Sequence, residues 1–147
     1  MTPKHFLIHA FKRILLGGWY KRYVVNNVVI QTDIKQALQV RGSKAQDYAL
    51  AKQFEHVMLY YPDFAFIFFW RINKLNYRWK SLFVPEMPCK IFRSTKIAGG
   101  LTCYHPYATV INAKSIGKNF QFRNGLTIGN KANDNRLLPI IGNDVTV

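Results

Sequence analysis

The sequence predicts an α+β fold: an α-helical N-terminal region over residues 1–88, then a parallel β-helix over residues 89–147. Two periodicities and one break carry that reading. Up to about residue 82, apolar residues recur at the three-to-four spacing of amphipathic helices. From Ile91 onward they recur every six positions, which is the period of short strands that each send one side chain inward before a corner. Pro85 and Pro88 stand between the two patterns and mark a linker.

Residues 5–25 read as an amphipathic helix, broken or kinked at Gly17-Gly18. Phe6, Leu7, Phe11, Ile14 and Leu15 lie on one side, and Lys12, Arg13, Lys21 and Arg22 on others. Such a stripe packs on its own protein or lies on an anionic membrane surface. Thr32 is placed to cap a helix running to about Val40, and Gly42-Ser43 ends it. A further helix is expected over residues 44–59. Tyr60-Tyr61-Pro62-Asp63 breaks it, because proline disfavours a helical residue before it. A third helix is expected over residues 64–82, with Phe66, Phe69, Trp70, Ile72 and Leu75 facing a core. Its interleaved Arg71, Lys74, Arg78 and Lys80 could flank stacked bases, but helical spacing favours a core face with a solvated basic edge. Nucleic acid is therefore not an expected partner.

The six-residue series starts at Ile91 and Ile97. After a one-residue slip it runs through Tyr104, Val110, Ile116, Phe122 and Ile128. Residues 130–140 interrupt it, and Ile141 and Val147 resume it. Ile116-Gly-Lys-Asn-Phe-Gln and Ile141-Gly-Asn-Asp-Val-Thr place Gly, Asn and Asp near the corners, where unusual φ/ψ is needed. The series stops at Val147 in mid-repeat, so the coil is expected to be incomplete at that end and its last repeat to fray.

The chain carries 21 Lys and Arg against 7 Asp and Glu, a formal charge of +14. The excess is spread over both regions. It suits a solvated surface or an anionic partner such as lipid headgroups, an acidic polysaccharide or a phosphorylated cosubstrate. Cys89 and Cys103 have no metal-ligand spacing, so no metal is expected, and two isolated cysteines fit a reducing compartment. The most apolar run, residues 64–70, falls far short of the ~20 residues of a spanning helix. Lys12 and Arg13 interrupt the only stretch resembling a signal peptide. A cytoplasmic location is expected, with the inner face of a membrane as a peripheral site.

The string Gly100-Leu-Thr-Cys-Tyr-His-Pro-Tyr-Ala-Thr-Val-Ile-Asn112 resembles the catalytic coil of the serine acetyltransferase family. Asn124-Gly-Leu-Thr-Ile-Gly129 and Pro139-Ile-Ile-Gly-Asn-Asp-Val145 continue the resemblance, which covers about 40% of the chain, residues 90–147. Tyr61-Pro-Asp-Phe and Phe69-Trp-Arg71 extend it more weakly into the helical region. The resemblance implies a left-handed β-helix, a homotrimer, and transfer of an acetyl group from acetyl-CoA to a hydroxyl. It implies His105 as the catalytic residue, Gly129, Asn130 and Lys131 at acetyl-CoA, and Tyr104 and Arg136 at the acceptor. Because family members continue for several more repeats, weak acetyl-CoA binding is expected from residues 1–147.

Acetyl transfer to an alcohol needs a base, since a free hydroxyl is a poor nucleophile. An imidazole, with an ordinary pKa of about 6.5, can take that proton at neutral pH. His5, His9 and His56 have no comparable setting. Three departures separate the chain from the serine-specific pattern. Lys90 stands where the family places the aspartate that orients the base. Leu137 and Leu138 stand where an Arg-His pair precedes Pro139, leaving Arg136 one position away. Tyr104 replaces an acid that helps hold the amino acid. Losing groups that recognise a zwitterion favours another acceptor, and relatives that acetylate surface-polysaccharide sugars lack the same groups. A sugar hydroxyl is thus the expected acceptor, with L-serine as the alternative. A non-catalytic basic protein on a polyanion or membrane is the reading from a different class.

Overall fold

In the helical region Asn27 and Ser43 cap the starts of two elements, and a left-handed turn at Asn73 ends another. The computed structural model describes residues 3–74 and 77–147, with side chains described from residue 7 onward. The side chains of His5 and Phe6, and Leu75 altogether, lie outside the described residues. Helix α1 (Pro3–Trp19) passes through Gly17-Gly18 without a break and continues as a π-helical turn, Tyr20–Val24. Two glycines cost a helix ~1 kcal/mol each. Burial of Leu16, Trp19 and Val24 on both sides of them outweighs that. The helix thus turns a different face inward from the expected one, and Leu7, Phe11 and Ile14 remain exposed.

Helix α2 (Val28–Gln39) begins earlier than Thr32. Asn27 is its cap, accepting the Ile30 N–H at 3.1 Å. Thr32 sits one turn in and donates to the Val28 carbonyl at 2.7 Å. The expected helix over residues 44–59 divides into a 3-10 turn (Lys44–Asp47) and α3 (Leu50–Tyr60). Helix α4 (Pro62–Arg71) uses proline in its first turn, where no N–H is missed, and is shorter than expected. Asn73 takes φ 58°, and the N–H groups of Asn73 and Lys74 close back on the Trp70 and Phe69 carbonyls. This left-handed cap stops the helix before residue 82. Among the described residues a 3-10 turn, Lys80–Leu82, follows before the strands. Every residue from Asp63 to Trp70 is buried. Phe54 packs on Phe68, while Trp19 packs on Phe69 and Phe83.

The strands are short and all parallel. The chain visits three sheets in rotation. The first holds β1 (Cys89–Ile91), β4 (Thr109–Ile111) and β7 (Thr127–Ile128). The second holds β2 (Lys96–Ile97), β5 (Ser115–Ile116) and β8 (Ile140–Ile141). The third holds β3 (Thr102–Cys103) and β6 (Gln121–Phe122), with a further bridge from Gln121 to Thr146. Ile91, Ile111 and Ile128 stack in register, as do Ile97, Ile116 and Ile141, and Cys103 with Phe122.

Two members of the six-residue series, Tyr104 and Val110, do not point inward. Cys103 and Ile111 are buried, whereas Tyr104 is half-buried and Val110 exposed. The corner between β3 and β4 is longer than six residues would allow, and the next corner is shorter, so the period slips and recovers. At one tight corner Gly100 takes φ 90°, and a Cβ there would run into Asn119 of the next coil.

Helices and coil are pinned by a buried ion pair. Arg71 of α4 meets both oxygens of Asp33 of α2, at 2.8 and 3.1 Å. The same guanidinium donates to the Ile97 and Ala98 carbonyls, and Asp33 Oδ1 accepts the Gly100 and Leu101 N–H groups at 2.8 Å each. Trp70 Nε1 donates to the Ile91 carbonyl at 3.1 Å.

Candidate active site

The long corner between β3 and β4 carries His105. Its backbone is in the left-handed region, φ 48°, between half-buried Tyr104 and buried Pro106. That conformation suits few residue types, His among the more tolerant. It throws the imidazole into solvent at the rim of a cavity of about 300 Å³. Tyr104, Tyr107, Tyr60 and Tyr61 line the cavity, together with Arg41, Asp63, Pro62, Pro85 and Met87. The helical region supplies half of this wall through the junction of α3 and α4, Tyr60 to Asp63, and through Arg41 just after α2.

Asp63 is the acid at His105. Its Oδ2 accepts the His105 main-chain N–H at 3.5 Å and lies 3.7 Å from Arg41 Nη2. Burial pushes the Asp63 carboxyl above its usual range, opposed by the His105 N–H and by the charges of Arg41 and His105. Sequence reasoning missed this residue. An acid in the first turn of a helix reads as a partner for the helix dipole, and nothing local ties it to residue 105. The weak likeness at Tyr61-Pro-Asp-Phe was the one available signal. Lys90, at the position where the sequence resemblance would place an aspartate, is exposed and stacks over Phe92 at 4.6 Å.

Arg41 sits between two rings, 4.6 Å from the Tyr61 centroid and 4.4 Å from that of Tyr104. It also donates to the Ala37 and Cys103 carbonyls. Tyr104 is thereby fixed against α2, and its hydroxyl reaches the Val40 carbonyl at 3.4 Å. Both thiols are held protonated. Burial pushes Cys89 up to about 12, and burial followed by the Asp63 charge pushes Cys103 well above its usual value. Neither thiol is poised to act as a thiolate nucleophile at neutral pH.

The other sequence-designated residues lie apart. Gly129, Asn130 and Lys131 follow β7, whereas His105 precedes β4, so they occupy opposite ends of parallel neighbouring strands. Asn130 bonds Asn135 at 2.8 Å across the loop, and Lys131 is exposed. Arg136 is paired with Asp134 at 2.8 Å in that exposed loop, outside the cavity wall. That pairing lowers the Asp134 carboxyl and raises the Arg136 guanidinium. The structure therefore joins His105 and Tyr104 with the unforeseen Asp63 and Arg41, and leaves the loop residues separate. Among the described residues no cluster of His, Cys, Asp and Glu is placed to hold a metal ion, and no helix is long and apolar enough to cross a membrane.

No protein-family model matches the chain. A stretch of 57 residues is 42% identical to the putative colanic acid biosynthesis acetyltransferase WcaB of Escherichia coli K12. The proteins of that name in Escherichia coli O157:H7 and Shigella flexneri match equally. The match takes in 38% of this chain and 35% of each relative, so the chain spans about a third of the length of the relatives it matches.

Proposed function

We propose that the protein is an acetyl-CoA-dependent O-acetyltransferase whose acceptor is a sugar hydroxyl of a surface polysaccharide. The single observation that carries the reading is the placement of His105 on the rim of a tyrosine-walled cavity. The partial likeness to a polysaccharide acetyltransferase agrees with it. Flat aromatic and apolar walls suit the faces of a sugar ring, and small-molecule sites commonly combine such walls with a few polar groups. Tyr104 stands in place of an acid, and Asp63 in the same wall is already engaged by Arg41 and the His105 N–H, which favours a sugar over L-serine.

In the proposed reaction the acceptor hydroxyl gives its proton to the His105 imidazole while its oxygen attacks the thioester carbonyl. The C–O bond forms, the C–S bond breaks, and the coenzyme A sulfur leaves with the proton that His105 returns. Asp63 is a positioning residue, holding the main chain of the His105 corner. Gly129, Asn130 and Lys131 are proposed to meet acetyl-CoA; Gly129 leaves open space where a Cβ would stand, and Lys131 offers a cation to phosphate. Arg136 is proposed at the acceptor end once its partner Asp134 is exchanged for an anion. Left-handed winding of the three-sheet coil, division at residue 88 and assembly as a homotrimer complete the proposal.

The test is thiol release from acetyl-CoA in the presence of L-serine, nucleotide-sugars or oligosaccharides. Release that depends on a saccharide and exceeds that with L-serine is expected. Release dependent on L-serine alone overturns the choice of acceptor.

A further inference from the structure

Helix α1 presents apolar side chains to solvent along one side: Leu7 is 66% exposed, Ile14 73% and Phe11 39%. Phe11 is the inner edge of this stripe, packing edge-on against Trp79 at 5.2 Å, and the Arg78 guanidinium lies over Trp79 at 4.5 Å. The turn into α2 adds exposed Val25 and Val28. Apolar side chains grouped this way on a helix mark a contact surface rather than scattered exposure.

The charge around the stripe says what covers it. Residues 1–32 contain five Lys and Arg and no Asp or Glu. Glu55 of α3 answers Arg13 at 3.1 Å, while Lys21 and Arg22 are exposed. A second copy of this face would oppose like charges across the contact. An anionic surface would be attracted by them and would bury the apolar side chains. Beside Arg22 a hollow of about 170 Å³ is lined by Trp19, Tyr23, Tyr77 and Lys74, combining two cations with amphipathic rings. Such rings favour the headgroup level of a bilayer.

We propose that the exposed face of α1 docks on an anionic phospholipid bilayer, with Leu7 and Ile14 inserted among the acyl chains and Lys21 and Arg22 at the headgroups. This is independent of the acetyl-transfer reading and would hold if that failed. The test is co-sedimentation of the full chain with vesicles of phosphatidylcholine alone or mixed with phosphatidylglycerol, at low and high salt. Tenfold or greater preference for the anionic vesicles, lost at high salt, is expected. Leu7→Ser/Ile14→Ser and Lys21→Glu/Arg22→Glu should each reduce binding at least tenfold. These positions are exposed, so thermal melting should be unchanged, and melting of each variant checks it. Absence of binding at low salt overturns the proposal, as does equal binding by both variants with unchanged melts. An association equilibrium abolished by Leu7→Ser/Ile14→Ser, without vesicle binding, would assign the face to a second copy instead.

Discussion

Asp63 and His105 lie 42 positions apart and meet where α4 begins and the corner between β3 and β4 turns, Asp63 Oδ2 accepting the His105 N–H at 3.5 Å. The contact makes the helical region part of the candidate site rather than an appendage. It also gives the corner an acid although Lys90 occupies the position where the family resemblance would place one.

Asp63→Asn tests that contact through pH. Burial leaves the folded carboxyl with a pKa above its usual 3.8. Its contribution to stability is thus fully present below that value and is lost as pH rises through the folded pKa. Wild type should lose stability relative to Asp63→Asn as pH rises above the usual 3.8 toward the higher folded pKa, measured by urea unfolding. A wild type that gains relative to the variant over that window would show that ion pairing with Arg41 dominates burial.

Asp33→Ala should be the most damaging polar substitution. It leaves Arg71, whose side chain is only 9% exposed, without its carboxylate, and frees two N–H groups at Gly100 and Leu101. Removing one partner of a buried pair costs about 3–5 kcal/mol. Chemical denaturation should show that loss, and a change below about 1 kcal/mol would mean that the pin is dispensable.

The register of the coil predicts opposite outcomes at adjacent positions. Ile111 is fully buried and Val110 is 37% exposed. Ile111→Ala should cost about 2–5 kcal/mol, and Val110→Ala should stay within about 0.5 kcal/mol. Equal losses in equilibrium unfolding would contradict the inward placement of Ile111.

That pair also shows how far the sequence could be read. The six-residue coil and the His-Pro string at His105 were legible because both signals are local. Ile116, Phe122 and Ile128 were assigned correctly for the same reason. Cys103 and Ile111 were not, since a lengthened corner followed by a shortened one leaves the average period intact while moving the inward residue by one. The face of α1 was misjudged because Leu16 and Trp19 compete with an equally apolar stripe, and only tertiary packing decides between them. Asp63 and Arg41 were illegible as site residues, because their meaning lies in contacts between α2, α4 and the coil.

The most direct measurement is the acceptor-dependent rate of thiol release by wild type and His105→Asn. Asparagine tolerates the left-handed backbone at φ 48° but offers no base. A general base contributes at least ~10²-fold, so turnover should fall by about that factor or more while thermal melting is unchanged. Undiminished turnover in His105→Asn would contradict the proposed chemistry.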